Sequence, residues 1–125
     1  MKLTKNFSIS EFYCNDGAEI PEDYYGNVQE LADNLQVLRD FLGVPISINS
    51  GYRHPEYNKS VGGSKKSQHL TASAADIRTV AYSPKEIAMI IEGLIRIGAM
   101  KQGGLGLYDT FVHYDIRGSR SRWNG

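Results

Sequence analysis

The stretch Ser67-Gln68-His69-Leu70-Thr71-Ala72-Ser73-Ala74-Ala75-Asp76-Ile77 decides how this chain is read. It leaves a polar, glycine-rich region, enters an apolar run, and carries a histidine and an aspartate seven residues apart. An aspartate among Ala74, Ala75 and Ile77 is costly to bury unless it is paired or bound to a cation. A third group lies further on, in Phe111-Val112-His113-Tyr114-Asp115, where His113 is flanked by strand-forming residues. Two histidines and one carboxylate leave the fourth position of a tetrahedral zinc open, the pattern of a catalytic rather than a structural site. On spacing alone a plainer reading stands beside it: His113 as a satisfied strand residue, and Asp76 as a turn cap or the partner of Arg78.

Working outward, Val28, Leu31, Leu35, Leu38 and Leu42 fall three or four apart and predict an amphipathic helix. Gly43 stops it and Pro45 forbids its resumption. Val44 to Asn49 alternates as a half-buried strand does. Residues 50–68 read as a long loop, a place where function concentrates. Ala74 to Val80 predicts a strand. Ser83-Pro84-Lys85-Glu86 combines an N-cap serine, a proline at the first helical position and a glutamate two further on, and starts a helix running to about Gly98. Residues 103–108 and 110–116 predict two final strands, and residues 118–125 a polar, loosely held tail. The expected fold is a single α+β domain over residues 1–125, with its core at 7–117 and a small, mostly antiparallel sheet flanked by helices.

Composition narrows the function classes. Fourteen basic and fourteen acidic residues cancel, which disfavours a nucleic-acid partner. A single cysteine, Cys14, rules out an internal disulfide and the cysteine-rich zinc sites, so a metal is expected on histidine and carboxylate, and Cys14 is expected as a small buried hydrophobe. No stretch approaches the roughly 20 apolar residues of a membrane span. The first residues lack the apolar run of a secretory signal, so the expectation is a chain made in a cytoplasm.

Ser50-Gly51-Tyr52-Arg53, Asn58 to Gly63, Ser67-Gln68-His69, Ala74-Ala75-Asp76 and Phe111-Val112-His113-Tyr114-Asp115 together resemble the D-Ala-D-Ala carboxypeptidase-type zinc peptidases. That family includes murein endopeptidases and phage endolysins and shares its fold with the hedgehog signalling domain. The likeness runs from about Phe7 to Arg117. It implies His69, Asp76 and His113 as ligands of Zn2+, and Arg53 as a substrate-binding and catalytic residue that meets a peptide carboxylate or carbonyl. It also exposes three departures. Ala72 stands where the family usually has glycine, and Thr110 and Phe111 stand where relatives place a glutamate or a histidine as general base.

Asp115 is therefore the expected catalytic carboxylate, either as proton shuttle or as a partner that orients a ligand, since it shares a strand face with His113. Asp109 is the other carboxylate in reach. Ser67 and Tyr52 are expected at the substrate or as ordering and packing groups. Tyr108 has the same two readings, and His54 either lines the cleft or sits in an exposed loop. Trp123 either covers the site or extends free. The implied activity is zinc-dependent hydrolysis of an amide bond in peptidoglycan stem peptides or crosslinks. The expected setting is the cell wall or periplasm, from a bacterial or phage gene, acting as a monomer without membrane insertion. A zinc-containing wall-binding or phage structural module is the alternative.

Overall fold

The stripe Val28, Leu31, Leu35, Leu38 and Leu42 is the buried face of helix α1 (Tyr25–Leu42), as its spacing requires. The computed structural model describes residues 1–125 and ends this helix at Gly43, whose φ of 70° is the left-handed cap that favours glycine. Strand β1 (Ser47–Ser50) begins later than the alternation predicts. Pro45 has no N–H to give a ladder, so pairing starts only beyond it. Residues 50–68 are not all loop: helix α2 (Pro55–Ser60) opens on Pro55 behind an N-cap at His54. At six residues it is too short for a hydrophobic period to reveal.

Strand β2 (Ala74–Arg78) and helix α3 (Pro84–Arg96) lie where the sequence places them. The Ser83 hydroxyl accepts from the Glu86 N–H at 3.2 Å while the Glu86 carboxylate accepts from the Ser83 N–H at 2.9 Å, closing the box that starts α3. Strands β3 (Gly104–Leu107) and β4 (Val112–Asp115) follow. A fifth strand, β5 (Ser121–Asn124), completes a sheet of order β1-β2-β4-β3-β5, antiparallel except for the β3–β5 pair. The chain is an α+β domain of the expected class.

Strand alternation then sorts the sheet by face. Ala75, Ile77, Val112, Tyr114 and Leu105 join the helices in one core of 24 residues. Their neighbours Asp76, His113, Asp115 and Gly106 project from the other face. Pairing sets Asp76 opposite His113 and His113 opposite Gly106, which draws one line of functional positions across three strands.

The tail is a correction. Residues 118–125 are held rather than loose, because two side chains anchor β5. Arg122 meets Glu92 of α3 through two bonds of 2.8 Å, and Trp123 lies across Gly106, where a Cβ would come within 2.5 Å of the indole. Composition marks this segment as polar and conceals both anchors. Arg122→Ala breaks a bidentate, half-buried pair. It is expected to cost about 2 kcal/mol, read as a lower urea midpoint at unchanged slope.

Candidate metal centre

Three donor atoms converge on the functional face: His69 Nε2, Asp76 Oδ1 and His113 Nδ1. Asp76 Oδ1 stands 3.3 Å from His69 Nε2 and 3.2 Å from His113 Nδ1. A tetrahedral zinc with bonds of ~2.0 Å sets its ligands ~3.3 Å apart. The donor set and its spacing therefore fit one such ion. All three residues are buried, at 3%, 6% and 7% exposure, at the base of an open cleft lined also by Arg53, Lys66, Ser67, Gln68, Arg117 and Trp123.

The hydrogen bonds on the far side of each ring fix which nitrogen faces the ion. His69 Nδ1 lies 2.7 Å from the Gly51 carbonyl, which only accepts, so Nδ1 carries the proton and Nε2 is left with a lone pair. His113 Nε2 lies 2.7 Å from Asp115 Oδ2 and donates to it, which frees Nδ1. Backbone acceptors and carboxylates behind metal-binding histidines are what hold their tautomer and orientation. Local structure places His69: the Ser67 hydroxyl accepts from the His69 N–H at 3.1 Å, starting the turn Gln68–Thr71. Ala72 closes that turn at φ 58°, the only non-glycine residue with positive φ. The strain expected from the sequence is thus present, ~1–2 kcal/mol for an L-residue, and burial of the Ala72 methyl offsets ~0.8 kcal/mol of it.

A model of the peptidase M15 family matches residues 5–115, nearly the whole chain. This chain belongs to the peptidase M15 family. No curated protein matches it. Membership supports a metal-dependent peptidase, and the His69–Asp76–His113 cluster is its candidate centre.

The other residues expected at the site of this M15 chain fall out differently. Arg53 reaches the cleft, but its guanidinium is already held by Ser50 Oγ at 3.1 Å, Asn58 Oδ1 at 3.3 Å and Asp76 Oδ2 at 3.3 Å. It clamps the oxygen of Asp76 that faces away from the histidines. Asp115 is fully buried and engaged by His113, by the Gly104 and Arg117 N–H groups, and by the Arg117 side chain at 2.9 and 2.8 Å. Burial would push its carboxyl up, but those donors hold it well below the usual range. Asp115 thus has no oxygen left for solvent, and the geometry favours the orienting role over the shuttle. Asp109 is exposed in the β3–β4 turn. Tyr52 is packed in the core beside Tyr24 rather than on the cleft. Ser67 lines the cleft while bonded to the backbone of His69.

Sequence reasoning passed over Arg117 and left Trp123 open. Trp123 packs on the His113 ring at 4.9 Å, and its indole N–H donates to the Tyr108 hydroxyl at 2.9 Å. A signal existed for Arg117: an arginine two residues beyond a buried strand aspartate is placed to neutralise it.

Burial would strip the His113 proton, but bonds to Asp115 and Asp76 outweigh it and raise the pKa above 6.5. The proton competes with metal for Nδ1, so the sign follows directly: zinc affinity falls as pH falls, and the fall starts above pH 6.5. Chelator-competition titrations between pH 8 and pH 5.5 are expected to show the decline beginning on the alkaline side of free imidazole, about 6.5.

Proposed function

We propose that this protein is a zinc metallopeptidase that hydrolyses an amide bond in peptidoglycan stem peptides or crosslinks. The observation that carries the reading is the convergence of His69 Nε2, Asp76 Oδ1 and His113 Nδ1 on the floor of the cleft, with Asp76 Oδ1 at tetrahedral spacing from each histidine nitrogen. A zinc ion held there supplies Lewis acidity for the scissile carbonyl and lowers the pKa of water towards ~7. Gly51 and Asp115 keep both imidazoles in the ligating tautomer. Arg53, itself held by Asn58, fixes Asp76 from behind, and Trp123 shields His113 from solvent.

The rim supports an anionic peptide. Arg53, Lys66 and Arg117 line the cleft, and Asp76 is the only carboxylate on its wall. Stem peptides carry free carboxylates, which guanidinium and ammonium groups attract by charge-assisted hydrogen bonds. Lys66 and Gln68 are free of side-chain bonds to the protein, which leaves them for substrate.

One observation favours the second reading, a zinc-holding wall-binding module. No carboxylate with an unoccupied oxygen faces the cleft, so no side chain of the usual kind stands ready as general base. Digestion of purified peptidoglycan by the zinc-loaded protein, read by mass spectrometry, separates the two. New stem-peptide fragments that disappear in His113→Ala support the peptidase; retention on peptidoglycan with no fragments supports the module.

A further inference from the structure

Away from the centre described above, a second group of donors meets where the N-terminal segment touches the loop carrying Arg53. Cys14, Asp16 and His54 offer one sulfur, one oxygen and one nitrogen within 4.8 Å of one another. We propose that Cys14, Asp16 and His54 form a second zinc site, a structural clasp outside the cleft whose existence does not rest on whether the protein cleaves peptides.

The donors suit a borderline cation. Zinc accepts thiolate, imidazole and carboxylate together, and this set of three leaves one position for solvent. The Cys14 thiol is buried at 2% exposure, lies within 4.8 Å of the Asp16 carboxylate, and has no second cysteine to pair with. The turn that carries it presents both residues on one side. Gly17 N–H donates to the Cys14 carbonyl at 2.8 Å, and Ala18 N–H donates to Asp16 Oδ1 at 3.0 Å. His54 comes from the other segment. Its Nδ1 accepts from the Tyr57 N–H at 3.3 Å, and its Nε2 meets Asp16 Oδ2 at 2.5 Å. Without metal, Nε2 therefore carries the ring proton and donates it to Asp16; metal binding at Nε2 moves that proton to Nδ1, which gives up its bond from Tyr57.

Bonds of ~2.0 Å to nitrogen and oxygen and ~2.3 Å to sulfur require donors ~3.3–3.6 Å apart, so the side chains must shift by on the order of 1 Å. Asp16 and His54 are part-exposed, at 39% and 28%, and have that freedom. Binding replaces the thiol proton, which leaves for bulk water.

The position gives the clasp a purpose. It ties residues 14–16 to residue 54, beside Gly51 and Arg53, which support His69 and Asp76. The two segments already touch closely: the Tyr52 N–H donates to the Phe12 carbonyl at 2.8 Å, and a Cβ on Gly51 would come within 2.7 Å of that oxygen. A metal here braces the platform of the cleft from behind.

Cobalt(II) reads the site directly, because only a cobalt–thiolate pair gives an intense sulfur-to-metal charge-transfer band in the near ultraviolet, and the His69–Asp76–His113 centre holds no sulfur. Titration of the metal-free wild-type protein with cobalt(II) is expected to show that band saturating by two equivalents per chain, and at one equivalent in the variant that lacks the central centre. The band is expected to persist in His69→Ala/His113→Ala and to vanish in Cys14→Ala. His54→Ala keeps the thiol and alters a part-exposed residue, so it tests the site even if the buried Cys14 variant folds poorly; it too is expected to abolish the band. A wild-type protein that binds cobalt with no charge-transfer band overturns the proposal, as does a band of undiminished strength in His54→Ala. Either of these results leaves the peptidase reading untouched, and loss of peptidase activity alone leaves this one untouched.

Discussion

Asp76→Ala is expected to lose zinc at the central site and amide hydrolysis together, with both falling to background. Asp76 Oδ1 is the donor shared by the two histidine contacts, and Oδ2 holds Arg53 at 3.3 Å. Removing the carboxylate cuts three ligands to two. It also leaves the Arg53 guanidinium facing the metal position with no anion between them, so the site repels the cation it must bind. Burial alone would raise the Asp76 carboxyl, but in the pH range where it would titrate, the protonated His113 and His69 rings beside it hold it well below the ordinary range, so the wild-type residue is ionised at neutral pH. Its loss leaves the largely buried Arg53 with only the neutral acceptors Ser50 and Asn58, and breaking such a charged pair costs about 3 kcal/mol. Circular dichroism establishes that the variant is folded, and elemental analysis then reads the metal. A folded Asp76→Ala protein that retains zinc on His69 and His113 and cleaves at the wild-type rate would exclude Asp76 from the centre.

The second large effect is expected at Asp115, and it separates two roles. As a positioning residue it sets the His113 tautomer through the 2.7 Å bond to Nε2. Asp115→Asn keeps the volume but removes the acceptor charge, so Nδ1 is no longer held free. Loss of such a partner weakens metal binding by ~10–100-fold. Arg117 also loses its ion pair, and a buried charge network broken on one side costs ~3–5 kcal/mol, with the isosteric amide at the low end. The expected pattern is weak zinc affinity with turnover largely restored at saturating zinc. Turnover that stays lost at full zinc occupancy would instead mark Asp115 as the proton shuttle. Acid acts on the same group. Its folded pKa is depressed, so the stability it contributes is complete above the unfolded carboxylate value and is lost as pH falls through that value and below.

Much of this arrangement was legible in the residues, for identifiable reasons. The stripe of α1 and the box at Ser83 are local signals, and local chemistry decides them. Asp76 stands out because a carboxylate in an apolar strand context is costly and needs a cause, while His69 and His113 are named with it through the family resemblance. What escaped depends on contacts between distant segments. Strand β5 is polar but for Trp123 and is held by Glu92 of α3 and by the absence of a side chain at Gly106. No window over residues 118–125 contains either fact. Asp115 shares a face with His113, which alternation does show, but only the fold reveals that Arg117 and Gly104 occupy its oxygens. Asp16 and His54 lie 38 residues apart, and nothing local brings them beside Cys14.

Anomalous X-ray scattering at the zinc edge, from crystals of the zinc-loaded protein, tests the central claim most directly. A peak is expected within about 2.0–2.2 Å of His69 Nε2, an Asp76 oxygen and His113 Nδ1 together. Crystals grown with zinc in excess that show no peak at that position, with the three side chains still in place, would contradict it.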